Sequence, residues 1–529
     1  MMKKQNRLRI ACFLLFYFLM AFSSFGQRSD ILVRIESIQP KHLTLLQHYP
    51  IKICFRTDSY FLGTVSRDVL SDMGRLRLSY EVIDDKPWTE PYYLITRSEK
   101  LLTQELITPG ELIYQSATEA IIKVKDQKAF ELAKRGVRLT RIFNQSLPLF
   151  IEETQPLVLP QVNLKQNDLI RDLVAQISDS TYHSFLQRLQ DFQTRYSFSD
   201  SNVSARNWLR EKFLEFGYTE VQFDPFSLSG TIQQNVVSTR PGIQGTNRVI
   251  IVGGHYDSIV FDGTNPMVFA PGVDDNGSGT AGTLEIARVL ANTDLETTVM
   301  FIPFAAEEQG LWGSNHFAQS AFENGMNIDI VLNMDMIANV SDNVPDFNIL
   351  TNIQSMGFAH LVFQMTEEFT NFIPQIGSSG GGSDHLPFQL YGYPALFLHE
   401  GDFSPNWHRA TDVIANVDIS YATEVLKSVV ATVVTVANSP AVPSGLTAIE
   451  VGDGQSQILT WDPNQEADLA GYKIYLGPSS GSYTTVMTVT SSFDTLHNLM
   501  ENEPVYAAVS AFDVDQNESL LSQEIMFSP

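Results

Sequence analysis

Several stretches of this chain place histidines or carboxylates just past an apolar run. Residues 247–258, NRVIIVGGHYDS, end on His255 and Asp257, and TVMFIPFAA is followed by Glu307 and Glu308. IDIVLNM leads into Asp335, YPALFLHEG into a loop with Trp407 and His408, and PGVDDNGSG sets Asp274 and Asp275 at a helix start. Taken singly, each has a structural explanation: a hydrogen-bonded histidine, an aspartate N-cap, a solvated pair of glutamates. Taken together, they point to one edge of a sheet, because open parallel sheets bind ligands at the carboxyl ends of their strands. Carboxylates converging there would repel one another unless a cation neutralised them. Two imidazoles and several carboxylates without cysteine suit zinc, with cobalt or manganese as substitutes. One catalytic zinc takes three protein ligands and keeps a water position, so the surplus predicts two ions sharing a carboxylate, about 3.5–4 Å apart.

The elements that must hold these residues follow from the hydrophobic pattern. Between about residues 165 and 437, near-continuous apolar strands alternate with amphipathic helices, which predicts an α/β domain with a mostly parallel sheet flanked by helices. In SARNWLREKFLEFG, Ala205, Trp208, Leu209, Phe213 and Phe216 share one face and Gly217 supplies the stop. Residues 28–160 mix short alternating runs with turns and read as an N-terminal β-rich domain, with a helix near AFELAKRG. It is either an accessory domain or a propeptide, and SLPLFIEETQPLVLPQ reads as the linker after it. Past NSPAVPSGL, residues 443–529 are all β. Their spacing, with Trp461, Tyr472 and Tyr506, resembles a fibronectin type III sandwich. No internal repeat is visible.

The stretches GGHYDS, APGVDDNGSGTAG, AAEEQGLWGS, NMDMIAN, GSDHLPF and NWHRATD, in that order, resemble the zinc aminopeptidases of peptidase family M28. The resemblance implies that Asp275 bridges two zinc ions, one also held by His255 and Asp335, the other by Glu308 and His408. It implies Glu307 as general base, Asp257 as the carboxylate orienting the His255 imidazole, and a cis peptide after Asp275. Asp384 and His385 follow no strand tip and are read as pocket or supporting residues rather than ligands. His316, His360 and His399 are read as structural, and Glu400 stays unassigned. The implied activity is removal of N-terminal residues from peptides or proteins. A single-zinc glutaminyl-peptide cyclase and a binding protein that has lost its chemistry are the alternatives.

The chain's beginning and its charge bound the setting. Residues 1–27 carry a basic start, the apolar run IACFLLFYFLMAF and a small polar end, the pattern of a secretory signal peptide. Export to the periplasm or medium is therefore expected, with no stable membrane insertion after cleavage. Only Cys54 would then remain, so no intrachain disulfide is expected. A net charge of −25 argues against nucleic acid as a partner. The C-terminal domain is a candidate for contact with a polymer or surface.

Overall fold

The strands that carry the site residues lie side by side. The structure, a computed structural model, describes residues 30–36, 49–57, 59–75, 78–96, 110–133, 137, 139–148, 167–341, 344–378 and 382–529. The signal-peptide segment and most of the linker after the N-terminal domain lie outside them. Arg248–His255 pairs in parallel with Thr298–Phe304, setting His255 opposite Phe304. On its other side it pairs in parallel with Asn327–Met334, which in turn pairs in parallel with Ala395–Glu400. Their carboxyl ends therefore emerge along one edge. Thr231–Arg240 and Glu220–Leu228 extend the sheet antiparallel on one flank, and Asp346–Thr351 with Ile373–Ser378 completes eight strands on the other. The parallel character thus belongs to the centre, and the edges are mixed.

The helices cover this sheet as their patterns predict. In Asp200–Glu215 the buried positions include Ala205, Leu209 and Phe213, and Gly217 follows at φ 96°. Ile419–Ala437 is apolar enough to cross a membrane, yet it is 78% buried and packs inside the largest core. Gly279–Leu290 begins directly behind the loop carrying Asp275. Two close approaches need glycine: a Cβ on Gly254 would lie 2.4 Å from the Met334 carbonyl oxygen, and one on Gly279 would lie 2.1 Å from it.

Among the described residues, the N-terminal region holds two four-stranded antiparallel sheets. The first runs Lys52–Arg56, Tyr60–Ser66, Asp30–Glu36, Tyr80–Asp84, with helix Arg67–Arg75 between its last two strands in sequence. The second runs Glu111–Gln115, Glu119–Lys123, Tyr92–Thr96, Leu139–Ile142, with helix Asp126–Ala133 in the same place. The order is the same in both, so the region is a structural repeat, contrary to the sequence expectation. Short alternating strands carry too little sequence signal to reveal it. Cys54 is buried there as a free thiol.

Residues Thr447–Phe527 form two antiparallel sheets, of three and four strands, around Leu459, Trp461, Tyr472, Ile474 and Val509. This sandwich is docked on the α/β domain: Leu520 packs against the large core, and the Gln244 amide donates to Asp468 at 2.7 Å.

Candidate metal centre

At the common strand edge five side chains converge. Asp275 Oδ1 lies 3.2 Å from His255 Nε2, and Asp275 Oδ2 lies 3.0 Å from His408 Nε2. His255 Nε2 is also 3.4 Å from Asp335 Oδ1, and His408 Nε2 is 3.0 Å from Glu308 Oε2. For a tetrahedral ion with bonds of about 2.0–2.1 Å, ligand atoms sit about 3.3 Å apart, so these spacings fit zinc. Two further details agree. Asp335 Oδ1 and Glu308 Oε1 are buried without a hydrogen-bond partner, an arrangement that a cation would satisfy. His255, Asp275 and Glu308 bring ligand atoms within 4.8 Å of one another, and so do His255, Glu307 and Asp335.

The electrostatics also favour a cation. Burial pushes Glu308 up to about 7, and burial together with Glu308, Asp335 and Asp384 raises Glu307 well above the carboxylate range despite His255. Burial would raise Asp275 too, but its bonds to His255 and His408 hold it far below its ordinary value. Burial alone would lower His408, yet Glu308 and Asp275 lift it to about 9. Glu307, Glu308 and His408 thus hold protons more tightly than usual, and a bound cation would compete with those protons.

The backbone that presents these groups is held tightly. Ala306 before Glu307, Met336 after Asp335, and His408 itself adopt left-handed conformations at φ 58°, 58° and 55°. Non-glycine residues hold such angles only where the surroundings enforce them. Val273–Ser278 is a distorted helical turn, and the peptide between Asp275 and Asn276 is cis, as the resemblance implies. Asp412, in the quoted NWHRATD stretch but given no role from sequence, accepts from the backbone N–H of Asp274 at 2.8 Å and of Asp275 at 3.0 Å. His408 is flanked by rings, with Trp407 stacked at 3.9 Å and Phe261 edge-on at 4.3 Å between centroids.

Asp257 lies beside His255, as expected, but its carboxylate is engaged elsewhere. Its Oδ1 lies 3.6 Å from His255 Nδ1, beyond hydrogen-bond length, while that nitrogen is 3.2 Å from the Asp257 backbone oxygen. The carboxylate instead accepts from the backbone N–H groups of Glu307 at 3.1 Å and Glu308 at 3.3 Å, and from the Ser197 hydroxyl at 3.1 Å. It joins two strand tips. Its oxygens are engaged by these backbone and hydroxyl donors.

Other residues fall into place around the centre. The Ser383 hydroxyl donates to Asp335 Oδ2 at 2.6 Å and receives the Asn333 amide at 2.8 Å, a role visible in GSDHLPF only once the fold is known. Asp384 and His385 are fully buried beneath the site, with His385 stacked on Phe397 at 5.0 Å. Glu400, unassigned from sequence, accepts from the N–H groups of Asn339 and Ser404 at 2.8 and 2.9 Å, and burial with the neighbouring Asp274 raises it well above the carboxylate range. His316 pairs with Asp224 at 3.1 Å, and His360 lies near Phe363 on a half-buried helix face. His399 departs from its structural assignment: it lines the cavity over the centre, because a strand sets it on the same face as Phe397. That cavity has a volume of about 380 Å3 and is walled on one side by the N-terminal region.

Comparison with known proteins now decides the family. Residues 235–433 match the model of peptidase family M28. They form a peptidase family M28 domain. The matched span contains all five residues of the cluster and Glu307. A probable zinc metalloprotease of Pyrenophora teres is 26% identical over 384 residues, covering 61% of this chain and 79% of that protein. Leucine aminopeptidase 1 of Fusarium vanettenii is 27% identical, covering 60% of this chain and 86% of that protein. A probable leucine aminopeptidase 1 of Trichophyton verrucosum is 26% identical, with 63% and 91% covered. The crystal structure of the LapA aminopeptidase of Legionella pneumophila superposes with a TM-score of 0.54 at 20% identity, covering 66% of this chain and 98% of that one. The peptidase domain therefore shares the aminopeptidase fold, and the cluster lies at its strand edge.

Proposed function

We propose that this chain is an exported aminopeptidase that holds two zinc ions and removes N-terminal residues from peptides. The observation that carries the reading is the orientation of Asp275, which turns one carboxylate oxygen to His255 and the other to His408. A carboxylate so divided suits a ligand shared by two cations. Asp335 would complete the set with His255, and Glu308 the set with His408. Bound zinc supplies Lewis acidity toward the scissile carbonyl and lowers the pKa of water.

The remaining chemistry belongs to the chain. Glu307 stands at the cavity with Oε2 3.9 Å from His255 Nε2, and Asp257 fixes its backbone. In the metal-free cluster burial strengthens its hold on a proton. Glu307 accepts the proton from the attacking water and returns it to the leaving amine. The leucine aminopeptidase names of the relatives support peptide substrates. Export rests on the leader pattern of residues 1–27. The C-terminal sandwich acts as a fibronectin type III-like spacer or as a contact to polymer.

A glutaminyl-peptide cyclase with one zinc would need Asp275, Glu308 and His408 but would leave the pairing of Asp275 with His255 and Asp335 without purpose. The deciding experiment measures zinc equivalents after dialysis, beside release of leucine from leucyl amide and ring closure of a glutaminyl peptide. Two equivalents with leucine release support the proposal. One equivalent with cyclisation and no leucine release overturns it.

A further inference from the structure

The cavity over the metal centre is built by two regions of the chain. Ala133, Val137, Leu139 and Thr140 of the N-terminal domain line it opposite Leu311, Leu350 and Phe397 of the peptidase domain. Leu139 and Thr140 lie on the edge strand Leu139–Ile142. We propose that Val137, Leu139 and Thr140 form a permanent wall of the substrate pocket, one that selects a chain end with an apolar first side chain. The proposal rests on the aminopeptidase reading and names its substrate class.

Three observations argue for a lasting wall. First, the segment is fitted against catalytic loops: a Cβ on Gly382 would lie 2.7 Å from Thr140 Oγ1, and one on Gly310 would lie 3.1 Å from the Arg141 backbone nitrogen. The Arg141 guanidinium sits 4.1 Å over the Trp312 ring, which follows closely on Glu307 and Glu308. Second, the two regions share interior. Gln145 and Asn315 exchange buried amide hydrogen bonds at 2.8 and 3.2 Å, and Tyr92, Leu94 and Ile142 belong to one apolar core with Ile251, Phe304 and Phe388. Shedding the domain would strand both amides and expose apolar surface, which a soluble domain rarely leaves bare. Third, the described residues of the domain do not plug the site. Among the described residues, none of its side chains hydrogen-bonds to His255, Asp275, Glu307, Glu308, Asp335 or His408, and about 380 Å3 stays open, a volume within the range of small-ligand pockets.

The chemistry of the wall sets the selectivity. Val137 and Leu139 offer aliphatic surface and no charge, and they face further apolar side chains across the cavity. An apolar side chain would be desolvated against this aliphatic wall at little cost, while a charged one placed against it would lose water there.

The test uses the full-length protein with Leu139→Asp and the milder Leu139→Ala, each checked for zinc content and thermal unfolding. L-leucine binding is followed by calorimetry, and kcat and KM are measured on leucyl and alanyl amides. Leu139→Asp is expected to weaken leucine binding and raise the leucyl KM by about tenfold with kcat and zinc little changed, and Leu139→Ala is expected to narrow the leucyl preference. Unchanged leucine binding and selectivity in both variants overturns the proposal, as does faster turnover, which marks an inhibitory plug. A wild type that binds no leucine overturns it as well. Leucine binding without hydrolysis in the wild type would instead refute the aminopeptidase reading, and the variants' leucine affinities would still score the wall.

Discussion

The Arg195 guanidinium donates to the Gly272 carbonyl oxygen at 2.6 Å, in the loop that delivers Asp275. It also donates to Pro271 O at 2.6 Å and to Tyr256 O at 2.8 Å, beside His255. Its side chain is fully buried, and its bonds go to backbone carbonyls. Burial lowers its pKa to about 10, while the fields of Asp412, Asp257, Asp275 and Glu308 favour its charge. The residue thus ties the bridging loop to the His255 strand and offsets part of the cluster's negative charge.

Replacing it tests both parts. Arg195→Met should leave several buried carbonyls without donors and lower stability by at least about 3 kcal/mol, read from urea unfolding of the metal-free protein. Arg195→Lys keeps the charge but not the planar fork, so it should recover only part of that loss. Equal stability of Arg195→Met and the wild type would remove the positioning role.

The proposed function gives the neighbours Glu307 and Glu308 different tasks, and glutamine separates them. Glu307→Gln should cut turnover by roughly 10²-fold or more while zinc content stays near normal, as loss of a general base does. Glu308→Gln should lose zinc, since its carboxylate faces His408 at 3.0 Å. The measurement is kcat beside metal content for both purified variants, and identical zinc retention would contradict the division.

Asp275 should matter to both ions and each histidine mainly to one. Asp275→Ala removes ligand atoms from two sets and also the charge that offsets repulsion between cations, so zinc binding should fall toward zero. His255→Ala and His408→Ala should each retain about one equivalent. Titration of chelator-treated protein with zinc reads these stoichiometries, and a full equivalent retained by Asp275→Ala would argue against a shared ligand.

Much of this centre was legible because a strand end is a visible event in sequence. Apolar runs stop at His255, before Glu307 and before Asp335, and parallel pairing then brings the stops together. The supports were hidden for a physical reason. Asp412 and Asp257 act on backbone N–H groups and Arg195 on backbone carbonyls, and such partners have no side-chain signature. The pocket wall of Val137 and Leu139 was equally silent, since contact between domains leaves no periodicity in either.

The junction of the peptidase domain and the C-terminal sandwich should respond to pH. Glu296, before the strand Thr298–Phe304, meets Asp468 and Asp513 of the sandwich, with one carboxylate oxygen of each within 4.8 Å of the others. Burial first, then Asp468, Asp513 and Asp515, raise Glu296 to about 7, and Arg248 opposes them. The folded value lies above the ordinary glutamate value of about 4.3, so the folded state holds the proton more tightly. The stabilisation is therefore full at low pH and is lost as pH rises through about 7. Glu296→Gln keeps the shape without the charge, so it should raise the melting temperature at pH 8 and change it little at pH 5. Differential scanning calorimetry at the two pH values measures this, and an equal shift at both would show that the carboxylates at this junction do not govern its docking.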